Sequence, residues 1–158
     1  IMKFNATIIR TSWVYSEYGN NFVSTIIKLT QKNNNLNIVF DQVGTPTYAG
    51  DLGQAILNII KNKKFNEPDR VTGIYHYSNE GECSWYDFAK EITNISGYKC
   101  TLSPINSEDY PTAARRPRNT IMSKDKISKE FGLKIIFWKD SLKCCMKNLS
   151  TLSLLNKE

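Results

Sequence analysis

The 158-residue sequence predicts an α/β fold built on parallel strands. Three observations carry that reading. Short β-rich runs, residues 7–15, 36–40 and 73–78, alternate with segments of helical periodicity. Strand, helix-containing crossover, strand is the pattern of a parallel βαβ unit. Finally, strand ends run into loops rich in Gly, Pro and Thr, where α/β proteins place their ligand groups.

Residues 7–15 are apolar and β-rich enough for one buried parallel strand. Asn20 and Asn21 can cap the helix that follows. Its apolar face is Phe22, Val23, Ile26, Ile27 and Leu29, and Asn33-Asn34-Asn35 ends it. Residues 36–40 form a short strand, and Gly44-Thr45-Pro46-Thr47 forms a turn. Asp51 is the expected N-cap of the next helix. There Leu52, Ala55, Ile56, Ile59 and Ile60 repeat at the spacing of one helix face. Lys61, Lys63 and Lys64 near its end suit the helix dipole.

Residues 73–78 make the next strand. Ser84-Trp85-Tyr86-Asp87 is a capping box, and its helix runs to about Ser96 with Trp85, Phe88, Ala89, Ile92 and Ile95 inward. Residues 101–105 are expected as an edge strand, because Pro104 cannot donate to a ladder. Residues 106–120, with Pro111 and Pro117, read as a long loop of the kind that is often functional. Ser123 is expected to cap a short helix ending near Gly132. A last helix, 138–149, puts Leu142, Met146 and Leu149 on one face, and residues 150–158 are expected to fray.

Composition bounds the function. With 41% apolar and 23% charged residues, the chain has ordinary globular make-up and length for one core. No apolar stretch can span a bilayer, and Ile1-Met2-Lys3-Phe4 does not open a signal peptide. Cys83, Cys100, Cys144 and Cys145 form no C-x-x-C, and with a single histidine they make no zinc framework. Reduced thiols in the cytoplasm follow. The formal charge of +6 suits an anionic partner or a solvated basic face. No helix is dense in Lys and Arg, which argues against a nucleic-acid-binding domain.

Four segments carry a family likeness. They are Arg10-Thr11-Ser12-Trp13-Val14-Tyr15, Asp41-Gln42-Val43-Gly44-Thr45-Pro46-Thr47-Tyr48-Ala49, Gly81-Glu82-Cys83-Ser84-Trp85-Tyr86-Asp87-Phe88-Ala89 and Tyr110-Pro111-Thr112-Ala113-Ala114-Arg115-Arg116-Pro117-Arg118-Asn119. In this order and spacing the chain resembles the C-terminal half of the dTDP-4-dehydrorhamnose reductase family, a group of extended short-chain dehydrogenases/reductases. The resemblance implies edge strands of a parallel Rossmann-type sheet plus a small helical and β substrate-binding cap. Residues 1–158 would be a single substrate-binding domain without its N-terminal dinucleotide-binding domain. A chain that opens on Ile fits a cut-out fragment.

Reduction by a nicotinamide cofactor needs a Gly-rich turn at a helix N-terminus to hold the pyrophosphate. The glycines at 19, 44, 50, 53, 73, 81, 97 and 132 supply no such spacing. The resemblance therefore implies that NADPH or NADH is bound by the missing part and that none is bound here. It also places the family's catalytic Tyr and Lys upstream of Trp13. The match Tyr86-Asp87-Phe88-Ala89-Lys90 is then a coincidence, and no catalytic residue lies in this fragment.

The candidate substrate-binding residues are Trp13, Asn21, Gln42, Thr45, Arg115 and Arg116. By resemblance, Trp13 contacts the dTDP-sugar; as a bare residue it is equally a packing aromatic. Arg115 and Arg116 offer planar forks for a diphosphate, or ion pairs for Glu108 and Asp109. Asn20 and Asn21 can cap a helix or meet an anion or hydroxyl. Gln42, Thr45 and Thr47 can bond a sugar or base, or close the turn. His76 reads as a packed strand residue and Trp85 as core. The implied reaction of the whole family member reduces the C4 ketone of dTDP-4-dehydro-L-rhamnose to give dTDP-L-rhamnose for polysaccharide synthesis. The implied partner is the dTDP-sugar, with no nucleic acid and no membrane, and with a homodimer left open. The rival reading is a non-catalytic, reductase-like regulatory subunit of another enzyme.

Overall fold

The computed structural model describes residues 6–62, 72–110, 114 and 116–155. In chain order the elements are β1 (Thr7–Arg10), β2 (Val14–Tyr15), α1 (Phe22–Lys32), β3 (Asn35–Val39), β4 (Val43–Gly44), β5 (Thr47–Tyr48), α2 (Ala49–Lys61), β6 (Gly73–His76), β7 (Cys83–Ser84), α3 (Trp85–Ser96), β8 (Thr101–Ile105), a 3-10 turn (Ser107–Asp109), α4 (Asp125–Phe131) and α5 (Trp138–Leu155). The α/β class is as expected.

Among the described residues the strands pair two by two. β1 with β6, β2 with β5 and β3 with β8 are parallel, whereas β4 with β7 is antiparallel. Ile38 faces Pro104 across the β3–β8 ladder, and β8 has one partner only, as an edge strand containing proline must.

The run expected as a single strand, residues 7–15, is instead two. Trp13 adopts φ 47°, a left-handed conformation uncommon outside glycine. The chain turns there, so β1 stays with β6 while β2 moves to β5. Nor is β1 deeply buried. Ile8 is 42% exposed and its ladder neighbour Ile74 is 36% exposed.

Local capping follows the sequence closely at two helices. Asn21 caps α1, with its side chain accepting from the Ser24 N–H while Ser24 Oγ accepts from the Asn21 N–H. Ser84 and Asp87 make the reciprocal box at α3, and Gly97 at φ 72° ends that helix. At α2 the start differs. The helix opens at Ala49, and Asp51 sits in its first turn rather than at the cap. Its carboxylate is occupied by the Asn79 amide and the Ser141 hydroxyl, contacts from distant parts of the chain. Lys61 lies in the last turn as expected, whereas Lys63 and Lys64 fall outside the described residues.

At α4 the cap position is Lys124, and Ser123 Oγ only accepts a long 3.4 Å bond from the Asp125 N–H. Gly132 at φ 66° ends α4. α5 runs past Leu149 to Leu155, so much of the tail expected to fray is helical; residues 156–158 fall outside the described residues.

Two apolar clusters hold these elements together. The larger joins α1, α3 and α5 through Val23, Ile26, Phe88, Ile92, Trp138 and Leu142, all nearly or fully buried. Phe88 meets Trp138 edge-on, with centroids 5.7 Å apart. Burying each such side chain is worth about 1.5–3 kcal/mol. The smaller cluster packs α2 and α4 on β6 through Ala55, Ile59, Tyr75, Tyr77, Ile127 and Phe131. Asn79, fully buried, binds the segments together. Its amide donates to Asp51, to Ser141 Oγ and to the Ile136 carbonyl, and its oxygen accepts from the Tyr48 N–H. Every polar atom of that side chain is satisfied, as burial requires.

Candidate functional site

The turn at Trp13 decides where its ring goes. The indole lies on Trp85 from the first turn of α3, with centroids 3.6 Å apart and planes 12° from parallel. Phe22, the first residue of α1, supports Trp85 from another side at 4.5 Å. Trp85, expected as core, is only half-buried and shares this aromatic wall. Gly44 is what lets the Trp13 ring approach. A Cβ at Gly44 would stand 2.7 Å from Trp13 Cε2 and 2.5 Å from Thr120 Oγ1, closer than atoms can pack.

The loop carrying Gly44 is fastened by the hydroxyls the sequence singled out. Thr45 is buried, and its hydroxyl donates to the Gly81 carbonyl at 2.9 Å. Ser12 Oγ donates to the Thr45 carbonyl, and Thr11 bonds Thr47 through their hydroxyls. The Thr47 N–H donates to the Trp13 carbonyl, which ties β5 to the strained residue. Thr45 and Thr47 thus close the turn. Asn21 is similarly committed. Beyond its capping bond, its amide nitrogen donates to the Ser16 and Tyr18 carbonyls.

Gln42 and Arg116 come together with the tryptophans. A recess of about 90 Å³ is lined by Trp13, Gln42, Trp85, Arg116, Pro117 and Thr120. It shares Gln42, Trp85 and Arg116 with a groove of about 440 Å³ between α1 and β3, whose walls include Phe22, Leu29, Ile38 and Tyr110. Apolar walls with a few polar groups and a cation suit a ligand with a flat or sugar portion and an anionic portion. Arg115 lies outside the described residues. His76 stands in β6 beside Arg10, and Tyr86 and Lys90 lie within α3.

Three residues outside the candidate set brace this recess. Asp41 accepts from both the N–H and the hydroxyl of Ser107, at 2.9 and 2.6 Å. Arg118 pairs with Asp41 at 3.9 Å and with Glu108 at 3.5 Å. The hydroxyl bond from Ser107 holds the Asp41 carboxyl below its usual range, aided by the Ser107 N–H and the Arg118 charge and opposed by desolvation. Val43 then grips the far end of the arginine loop through backbone bonds with Arg118 and Thr120. Asp41 adjoins Gln42 in the sequence, but nothing local pointed to Ser107, 66 residues away.

Among the described residues no cluster of His, Cys, Asp and Glu could hold a metal ion, and no helix is long and apolar enough to cross a membrane.

The RmlD substrate binding domain model matches residues 2–151, nearly the whole chain. The chain belongs to the RmlD substrate-binding domain family. A dTDP-4-dehydrorhamnose reductase of Sinorhizobium fredii is 40% identical over 141 residues, covering 87% of this chain and 48% of that protein. The Bacillus subtilis spore coat polysaccharide biosynthesis protein SpsK is also 40% identical, over 88% of this chain and 46% of its own length. The crystal structure of dTDP-4-dehydrorhamnose reductase from Bacillus anthracis, a complex with NADP, superposes with a TM-score of 0.81 at 34% identity, covering 92% of this chain and 49% of that one. This RmlD-family chain therefore spans about half the length of the relatives it matches. Its fold is that of the substrate-binding part of an extended short-chain reductase.

Proposed function

We propose that this chain is the nucleotide-sugar-binding half of a cytoplasmic dTDP-4-dehydrorhamnose reductase. The observation that carries the proposal is the stacked Trp13–Trp85 wall standing with Gln42 and Arg116 around one recess. The wall offers an apolar face to a sugar or base, and Gln42 offers a hydrogen bond. Arg116, with Arg115 beside it in sequence, offers forked donors to the diphosphate. Asn21 and Thr45 act on this reading as frame, holding α1 and the Gly44 loop in place.

The complete protein would reduce the C4 ketone of dTDP-4-dehydro-L-rhamnose, with hydride supplied by NAD(P)H. On this reading the described starts of α1 and α2 do not supply its pyrophosphate turn. α1 opens on the Asn21–Ser24 capping box and α2 opens directly from β5, so neither presents a Gly-rich pyrophosphate turn. Its residues bind and orient the sugar nucleotide, and the cofactor is assigned to the part of the relatives that the chain does not match. The exposed pair Ile8 and Ile74 on the β1–β6 ladder, beside an edge of β1 that has no second partner among the described residues, supports a further body packing there.

The test is at Arg116. A charge-assisted contact to phosphate is worth about 1.5–3 kcal/mol, so Arg116→Ala in the complete protein is expected to weaken dTDP-L-rhamnose binding roughly 10- to 150-fold. Arg116→Lys recovers only part, because it keeps the charge and loses the fork. Thymidine, which has no phosphate, should bind the variants and the parent alike. Equal losses for both ligands would mean that Arg116 shapes the loop and does not hold phosphate.

A further inference from the structure

Gln42 lines both hollows of the candidate site, and an amide can face a ligand as a donor or as an acceptor. Which of the two it is follows from a relay behind it. Ser107 Oγ lies 2.6 Å from Asp41 Oδ1. Asp41 is held ionised by that bond, by the Ser107 N–H and by Arg118, so it can only accept. The single hydroxyl hydrogen of Ser107 is therefore spent on Asp41. Toward Gln42, Ser107 Oγ has only lone pairs left. The amide nitrogen of Gln42 must be the atom that meets it, at 2.9 Å. With the amide reversed, two oxygens without a hydrogen between them would stand at that distance. Among the described residues nothing donates to Gln42 Oε1. The second amide N–H is also left over, but with the nitrogen turned to Ser107 the oxygen occupies the other branch of the amide, and that acceptor is the group whose place the relay fixes.

Resting on the reading of the site as a nucleotide-sugar site, we propose that Asp41 is a positioning residue that, through Ser107, fixes Gln42 as a hydrogen-bond acceptor and so selects a ligand presenting an N–H or O–H group there. A thymine imide and a hexose hydroxyl both have that chemistry. Without Asp41, the Ser107 hydrogen can turn to Gln42. The amide then reverses and presents its NH₂ to the ligand's own donor, and the match is lost.

The test is a double-mutant cycle on the complete protein, read by titration with dTDP-L-rhamnose and with dTDP. A neutral hydrogen bond of ordinary net worth corresponds to roughly a 2- to 10-fold change in affinity. Gln42→Ala and Asp41→Ala should each weaken dTDP-L-rhamnose binding by about that factor, and the double variant should lose no more than either alone. Ser107→Ala should match Asp41→Ala, and Ser107→Thr, which keeps the hydroxyl, should recover most of the loss. Where dTDP suffers the same losses the donor is on the nucleotide; where only dTDP-L-rhamnose suffers, it is on the sugar. Multiplying losses in the double variant, or a Ser107→Thr that fails to recover binding, would overturn the relay and leave Asp41 as a brace for the arginine loop. A parent protein that binds neither ligand would overturn the reading of the site as well.

Discussion

Gly44→Ala is the substitution for which the structure makes the sharpest demand. The added methyl would stand 2.5 Å from Thr120 Oγ1 and 2.7 and 2.8 Å from Cε2 and Cζ2 of Trp13. Neither neighbour can give easily. Thr120 Oγ1 donates to the Val43 carbonyl, and Trp13 is pinned between this loop and Trp85, 3.6 Å away. Overpacking of this kind costs about 1–3 kcal/mol. Loss of chain freedom in the unfolded state offsets about 0.4–1 kcal/mol, because Gly44 does not need a left-handed backbone. A net destabilisation of up to about 2.6 kcal/mol remains. The Trp13 ring is the softer partner, so the wall should shift. In the complete protein, kcat/KM for the dTDP-sugar should fall roughly tenfold, a loss of about 1.4 kcal/mol in transition-state binding, while the KM for the nicotinamide cofactor holds. Steady-state kinetics on both substrates, with a thermal melt, checks this. A variant with the parent's melting temperature and the parent's sugar kinetics would refute the claim that close approach at Gly44 seats Trp13.

Trp13→Ala removes the stack on Trp85, so dTDP-sugar use should fall more than cofactor binding; an unchanged sugar parameter with a lower melting temperature would make Trp13 a packing residue only. Asn79→Ala strips donors from Asp51, Ser141 and the Ile136 carbonyl and an acceptor from the Tyr48 N–H. Chemical denaturation should show a loss of about 2–4 kcal/mol, with sugar affinity in the folded fraction unchanged. Burial pushes the Cys83 and Cys145 thiols up to about 12, so both stay protonated and unreactive at pH 8, while exposed Cys144 is alkylated. Mass spectrometry after native labelling should find Cys144 modified and Cys83 and Cys145 modified only in denaturant. Prompt native labelling of Cys145 would contradict its buried position.

What the sequence determined alone is local or periodic. The Ser84–Asp87 box, the Asn21 cap and the stop at Gly132 depend on residues within a turn of one another, so their chemistry is legible in a linear string. The apolar repeat of α2 is legible for the same reason, as is the edge position of β8, which Pro104 imposes wherever the strand lies. The four segments that carry the family likeness include Trp13, Gln42 and Arg116, which line one recess in the folded chain, but do not say what each side chain touches.

Contacts between distant segments were decided only by the tertiary structure. One strand became two because Trp13 must turn to reach Trp85, and no propensity in residues 7–15 announces a partner so far along the chain. Asp51 left the cap position because Asn79 and Ser141 claim its carboxylate in the folded chain. Thr45 carries the same hydroxyl whether it closes a turn or meets a sugar; the nearness of the Gly81 carbonyl chose the first. Asp41 and Ser107, 66 residues apart, meet only once β3 and β8 have paired in register and brought the ends of both strands together. Closing such loops costs entropy that no short window of sequence records. Which distant groups repay it depends on how the whole chain packs.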